Sequence, residues 1–279
     1  MSRQVWEFYF INLENTNKKT VFEVIKLSFF DFMFYNGYDR AVKLCIERAA
    51  LGKQTKVFTP NAEMLAEASK NASLLRLLKQ AELPLPDGIG TFFAARMLGL
   101  SPAERTNGID FAERLLSEAA KSGMKVFLLG AKPGVAERAA KKLQTRFKAL
   151  RVTSTHHGYF KKRGEENDTV LEKINRSGAE ILFVCFGFPE QERWITENLP
   201  KLNNVKLVAG LGGSLDVWSG EVSRAPRFLR SNGLEWAYRV VKSPSRLSRL
   251  PRLFDFFMLC VAVKISNSVK QKGNLLQNL

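Results

Sequence analysis

The chain has 279 residues, of which 45% are hydrophobic and 25% charged. That is the composition of a folded globular protein, and it excludes wholesale disorder, collagen-like repeats and low-complexity sequence. Forty-three Lys and Arg against 27 Asp and Glu give a formal net charge of +16, so the partners to expect are polyanions: nucleic acid, an anionic membrane or a phosphorylated substrate.

Residues 1–28 hold two apolar patches separated by Asn12, Asn15 and Asn17, and read as a short N-terminal extension. Glu7 interrupts the run from Val5 to Ile11 and no small-residue cleavage site follows it, so no export signal is expected. From about residue 55 to 217, β-rich runs alternate with helical patterns. The runs are Lys56–Phe58, Lys125–Leu129, Ile181–Phe186 and Val205–Ala209. Between the first two, residues 62–81 keep helical spacing at Met64, Leu65, Ala68, Leu74, Leu75 and Leu78. Near-continuous apolar strands separated by helices predict a Rossmann-like α/β core over residues 29–220, a parallel sheet with helices on both faces.

Ligands of such sheets gather beyond the carboxyl ends of the strands. Three polar loops follow candidate strands or helices: Thr59-Pro60-Asn61, Pro86-Asp87-Gly88-Ile89-Gly90, and Gly187 to Glu192. The second is expected between a helix carrying Leu74 to Leu83 and one carrying Phe92 to Leu98. The third would aim the amides of a helix amino end at an anion. Taken singly, the first two read equally well as a cap or a solvated turn.

After Gly220 the texture becomes Arg-rich and amphipathic. Residues 221–279 carry eleven basic residues against Glu221, Glu235 and Asp255, a net of +8, which is half the excess on about a fifth of the chain. Ser243-Pro244 predicts a helix start. The apolar run Phe256–Val263 is far short of the ~20 residues of a membrane span. Residues 221–279 are therefore expected to form a helical, basic appendage that touches an anionic membrane surface without crossing it. Leu253, Phe254, Phe256, Phe257, Met258 and Leu259 would supply its apolar contact. A solvated charged helix is the plainer alternative. Nucleic acid is not the expected partner, because no reading module or tandem aromatic platform accompanies the arginines.

Common chemistries are absent. There is no GxGxxG, P-loop, GxSxG or Asp-x-Asp, and the two histidines, His156 and His157, are chain neighbours expected to point apart. Cys45, Cys185 and Cys260 have no CxxC spacing, which argues against a disulfide framework and suits a reducing compartment. No metal and no cofactor is expected. A diphosphate would have to be met by arginines and backbone amides.

Taken in order, these segments form a pattern. Thr59-Pro60-Asn61-Ala62-Glu63 and Pro86-Asp87-Gly88-Ile89-Gly90 are followed by Glu104-Arg105 and Gly108-Ile109-Asp110. Phe127 to Gly130, His157 to Phe160 and Gly187 to Glu192 come next. Gly212 to Asp216, Arg224-Ala225-Pro226 and Gly233 to Arg239 complete it. Over about residues 30–252 the sequence resembles the WecG/TagA/CpsF family of bacterial glycosyltransferases, and the tail Gly273-Asn274-Leu275 is nearer to WecG than to TagA. The resemblance implies an inverting, metal-independent transfer from a UDP-sugar donor to an undecaprenyl-diphosphate-linked sugar (a polyprenyl-diphosphate acceptor). The pathway would be surface polysaccharide synthesis, at the cytoplasmic face of the inner membrane. N-acetylmannosamine or its uronic acid is the expected sugar, with glucose as the alternative. A catalytically silent protein that binds anionic lipid or nucleic acid is the alternative class. Whether the protein is a homo-oligomer is left open.

By the same resemblance, Asp87 is the general base, and Thr59, Asn61, Gly88 and Gln191 belong to its pocket. Arg105 would reach a phosphate, and Arg239, Arg246 and Arg249 would hold a diphosphate. Glu190 stands where the family usually has Lys or Arg, which bears on donor choice. The chemistry agrees with one carboxylate. A sugar hydroxyl is a poor nucleophile, and a placed base contributes ~10²–10⁴-fold. A single displacement of UDP inverts the anomeric carbon.

Overall fold

The computed structural model describes residues 24–27, 32–35, 37–99, 102, 104–242, 247–248 and 250–277; for residues 24–27, 32–35, 239 and 266–277 it describes the backbone alone. Strands β1 (Val24–Leu27) and β2 (Phe32–Tyr35) pair antiparallel. Next come α1 (Tyr38–Ala50), β3 (Thr55–Phe58), α2 (Ala62–Lys70), α3 (Ala72–Leu78), β4 (Leu83–Pro84) and α4 (Gly88–Met97). The chain continues through α5 (Gly108–Ser122), β5 (Lys125–Gly130), α6 (Val135–Arg146), β6 (Arg151–His156) and α7 (Glu165–Ser177). The core closes with β7 (Ile181–Cys185), α8 (Glu190–Asn198), β8 (Leu207–Gly210) and α9 (Ser214–Ser219). Three more helices follow: α10 (Arg227–Ser231), α11 (Glu235–Lys242) and α12 (Leu250–Gln277).

Strands β3 to β8 form one parallel sheet in the order β4-β3-β8-β7-β5-β6, the Rossmann-like α/β architecture that the apolar runs predict. Side chains alternate across a strand, and here both faces are covered. Val57, Val126, Leu128, Ile181, Phe183, Leu207 and Ala209 pack under α1, α5, α6 and α9. Phe58, Phe127, Leu129, Leu182, Val184 and Val208 pack under α7 and α8. A strand buried on both faces needs apolar residues at every position, hence the continuous runs.

Several elements differ from expectation. The stretch 62–81 is two helices, because the Asn71 backbone N–H closes α2 on the Ala68 carbonyl while its side chain caps α3 through the N–H groups of Ser73 and Leu74. The chain then forms the short strand β4 instead of carrying a helix to Leu83, and α4 starts at Gly88 rather than near Phe92. Strand β6 carries the polar alternation Arg151, Thr153 and Thr155 because it lies at the sheet edge.

A third cluster involves the C-terminal region. Phe256 and Cys260 of α12 are buried against Met64, Leu65, Leu74, Leu78, Ala94 and Ala95 of α2, α3 and α4. Leu253 and Leu259 pack at its edge, while Phe254, Phe257 and Met258 stay exposed. The apolar run expected to face a membrane is thus divided between docking on the core and facing outward. Among the described residues, no helix is long and apolar enough to cross a membrane. The expected helix start at Ser243-Pro244 lies outside the described residues, as does most of the expected extension over residues 1–28.

Candidate functional site

Because the sheet is parallel, the loops after β3, β4, β7 and β8 open on one edge. At that edge the backbone of Asp87 runs beside that of Asn61 as an isolated parallel bridge, with the Asp87 N–H donating to the Pro60 carbonyl at 3.0 Å. Asp87 occupies the cap position of α4, yet its side chain makes no capping bond to that helix. Its Oδ1 instead accepts the Gly108 N–H at 2.9 Å, the first amide of α5. One half-exposed carboxylate therefore stands where two helices begin.

Local backbone chemistry fixes this placement. Gly88 has φ +83°, a left-handed conformation that other residues adopt only at a cost of roughly 1–2 kcal/mol. Its N–H donates to the Thr106 carbonyl at 2.8 Å, and the Thr106 hydroxyl returns a bond to the Pro86 carbonyl. Gly108 lets α5 start against β3, since a Cβ there would lie 3.1–3.3 Å from three atoms of Thr59. The Thr59 hydroxyl donates to the Gly210 carbonyl at 3.1 Å, linking the ends of β3 and β8.

Asn61 caps α2, its Oδ1 accepting the Met64 N–H at 3.0 Å. Gln191 is buried, and its Oε1 accepts the N–H groups of Gly187 at 3.2 Å and Gly212 at 2.9 Å. It therefore ties the β7 and β8 loops together instead of lining open space. Thr59, Asn61, Asp87, Gly88 and Gln191 thus belong to one connected edge. Arg105 stands beside it and donates to the Arg230 carbonyl, so it anchors α10. The backbone of Arg239 lies in α11, while Arg246 and Arg249 lie outside the described residues.

Sequence reasoning missed Tyr38, and it named Glu192, Asp110 and Arg224 within motifs without giving them a role. Tyr38 is buried at the start of α1, its hydroxyl accepting the Asn107 N–H and donating to the Arg105 carbonyl at 3.4 Å. Burial pushes its phenol well above the usual range, and the carboxylates of Asp110, Asp87 and Glu104 add to the effect. An isolated tyrosine opening a helix carries no sequence signal of that role. Arg224 Nη2 lies 2.6 Å from Asp110 Oδ1, fastening the segment after α9 to the first turn of α5. A cavity of about 350 Å³ flanks this pair between α5 and α6, and inside it Arg146 and Arg224 pair with Glu113 and Asp110.

Glu190 has a partner: Lys162 Nζ lies 3.8 Å from it, with the rings of Phe160 and Phe186 at 4.0 and 4.3 Å from that ammonium. Burial lowers the Lys162 pKa, against the pull of Glu190. Among the described residues no three His, Cys, Asp or Glu side chains come together to hold a metal ion.

The signature of the glycosyl transferase WecG/TagA/CpsF family matches residues 27–270 of the chain. The chain belongs to that family. Its reaction class is glycosyl transfer, which needs an activated sugar donor and an acceptor hydroxyl. In WecG/TagA/CpsF terms, the matched span takes in the whole sheet, the Asp87 edge and most of α12.

Proposed function

We propose that the chain moves N-acetylmannosamine or its uronic acid, with glucose as the alternative, from a UDP-sugar to an undecaprenyl-diphosphate-linked sugar. The reaction inverts the anomeric carbon and belongs to surface polysaccharide synthesis. One observation carries the reading: the Asp87 carboxylate stands at the carboxyl edge of the sheet, at the amino ends of α4 and α5. In this mechanism the acceptor hydroxyl gives its proton to Asp87 as its oxygen attacks the anomeric carbon. The bond from that carbon to the diphosphate breaks on the opposite side, and the electron pair leaves with UDP. Each helix amino end carries about half a positive charge, which suits phosphate oxygens as they gain charge.

The acceptor is brought by the basic appendage, residues 221–279, with Arg239, Arg246 and Arg249 on its diphosphate. Trp236, Phe254, Phe257 and Met258 are exposed there among the arginines. A basic residue near an anionic surface adds ~1 kcal/mol, so several hold a peripheral protein at the cytoplasmic face of the inner membrane. The Lys162–Glu190 pair tunes donor choice beside the β7 loop.

The test is a panel of UDP-sugars with a lipid-linked acceptor, read by mass spectrometry, alongside a UDP titration without magnesium. The reading expects UDP binding and one product heavier by a single sugar. Binding to anionic vesicles with no UDP binding and no product from any donor would favour the catalytically silent alternative.

A further inference from the structure

Glu192 is a buried acid that the proposed chemistry leaves unused. It sits in the first turn of α8 with no exposed surface. Its Oε1 accepts the Gln191 Nε2 at 2.8 Å, and its Oε2 has no hydrogen-bond partner. The Gln191 amide is what joins two loops, because its Oε1 receives N–H groups from Gly187 and Gly212.

An amide has one accepting and one donating end, and a half-turn exchanges them. Turned the wrong way, the NH₂ of Gln191 would face two backbone donors, and both loops would lose their tie. A buried donor without an acceptor is costly, so the orientation follows from whatever accepts at the Nε2 end. Glu192 is that acceptor. Gly210 supplies the room, since a Cβ there would lie 2.9 Å from Gln191 Nε2.

We propose that Glu192 is a positioning residue for the donor side of the pocket. By accepting from Gln191 Nε2 it holds the amide in the one orientation that fixes the β7 loop to the β8 loop. The inference rests on the reading of this edge as the UDP site. Thr59 carries the same tie onward, from the Gly210 carbonyl to the end of β3, so the spacing set at Gln191 reaches the loop beside Asp87.

The test compares the wild type with Glu192→Gln, Glu192→Met, Gln191→Ala and the Gln191→Ala/Glu192→Met double variant, measuring UDP affinity by calorimetry and donor KM and kcat by product formation. Glu192→Met removes the acceptor and should weaken UDP binding and raise donor KM about tenfold, with kcat changed by less than about threefold. Glu192→Gln keeps an acceptor oxygen and should restore both to within about threefold of wild type. The double variant should bind UDP no worse than Gln191→Ala, because Glu192 acts only through Gln191. Wild-type affinity and KM in folded Glu192→Met, or additive losses in the double variant, would overturn the proposal. Glu192→Ala carries the same comparison if the methionine variant does not fold. If the wild type binds no UDP, it is the functional reading that fails. Amide exchange then decides this one: Glu192→Met must speed exchange at Gly187 and Gly212, and unchanged protection at both would refute it.

Discussion

Replacing Glu192 by Gln should change how stability depends on pH, and the size follows from its surroundings. Burial pushes this carboxyl from 4.5 up to about 7, while the hydrogen bond from Gln191 pulls part of the way back. An unfolded chain gives up the proton near pH 4.5, whereas the folded protein keeps it to about pH 7. Between those values only the folded state holds the proton, so stability falls as pH rises. Below that window the group contributes nothing, and above it the loss is complete, at about 3 kcal/mol. Glutamine cannot ionise and does not incur the loss. Urea unfolding of both proteins at pH 4.5 and pH 8 isolates the effect, since other titrating groups cancel in the comparison. The glutamine variant should gain about 3 kcal/mol on the wild type between the two conditions, or roughly 6–12 °C in Tm. A stability difference that is the same at both pH values would refute the argument.

Phe256→Ala should cost about 3–5 kcal/mol, the range for emptying a buried phenylalanine site, and should free α12 to proteolysis before the sheet unfolds; equal protection of α12 in both proteins would count against docking on α2 and α4. Phe254→Glu with Phe257→Glu alters exposed positions, so it should leave Tm within about 1 °C while cutting anionic-vesicle binding about tenfold or more. The wild type's vesicle binding should also weaken as salt is raised, because exposed charges are screened beyond ~10 Å at 0.1 M. Glycosyl transfer should survive EDTA, and a strict requirement for added magnesium or manganese would show that the diphosphate is met differently.

The sheet was legible because its inner strands are buried on both faces. Val126 to Leu129 and Ile181 to Cys185 leave no polar position to confuse the reading. Strand β6 was not, because an edge strand tolerates Arg151, Thr153 and Thr155, which break up the apolar run that marks the inner strands. Asn71 was invisible as a boundary, since helical spacing continues across it while its side chain ends one helix and starts another. The Asp87 edge could be marked from its loop composition. Its bond to Gly108 could not, because contact between residues that far apart in the chain depends on how α5 packs. Glu192 could be marked as part of the Gly187 to Glu192 loop, but only the fold reveals that α8 turns it inward. Arg105 likewise reads as a free cation until α10 supplies the carbonyl that holds it.

The central claim is that Asp87 takes the acceptor's proton, and Asp87→Asn tests it most directly. Asparagine keeps an oxygen that can accept the Gly108 N–H, so the start of α5 and the tie to β4 should survive. A neutral amide cannot receive the hydroxyl proton. Single-turnover rates with a bound UDP-sugar and a lipid-linked acceptor should therefore fall roughly 10²–10⁴-fold, with Tm and UDP affinity unchanged. A rate within a few-fold of wild type would contradict the account and leave Asp87 as a structural cap for α5.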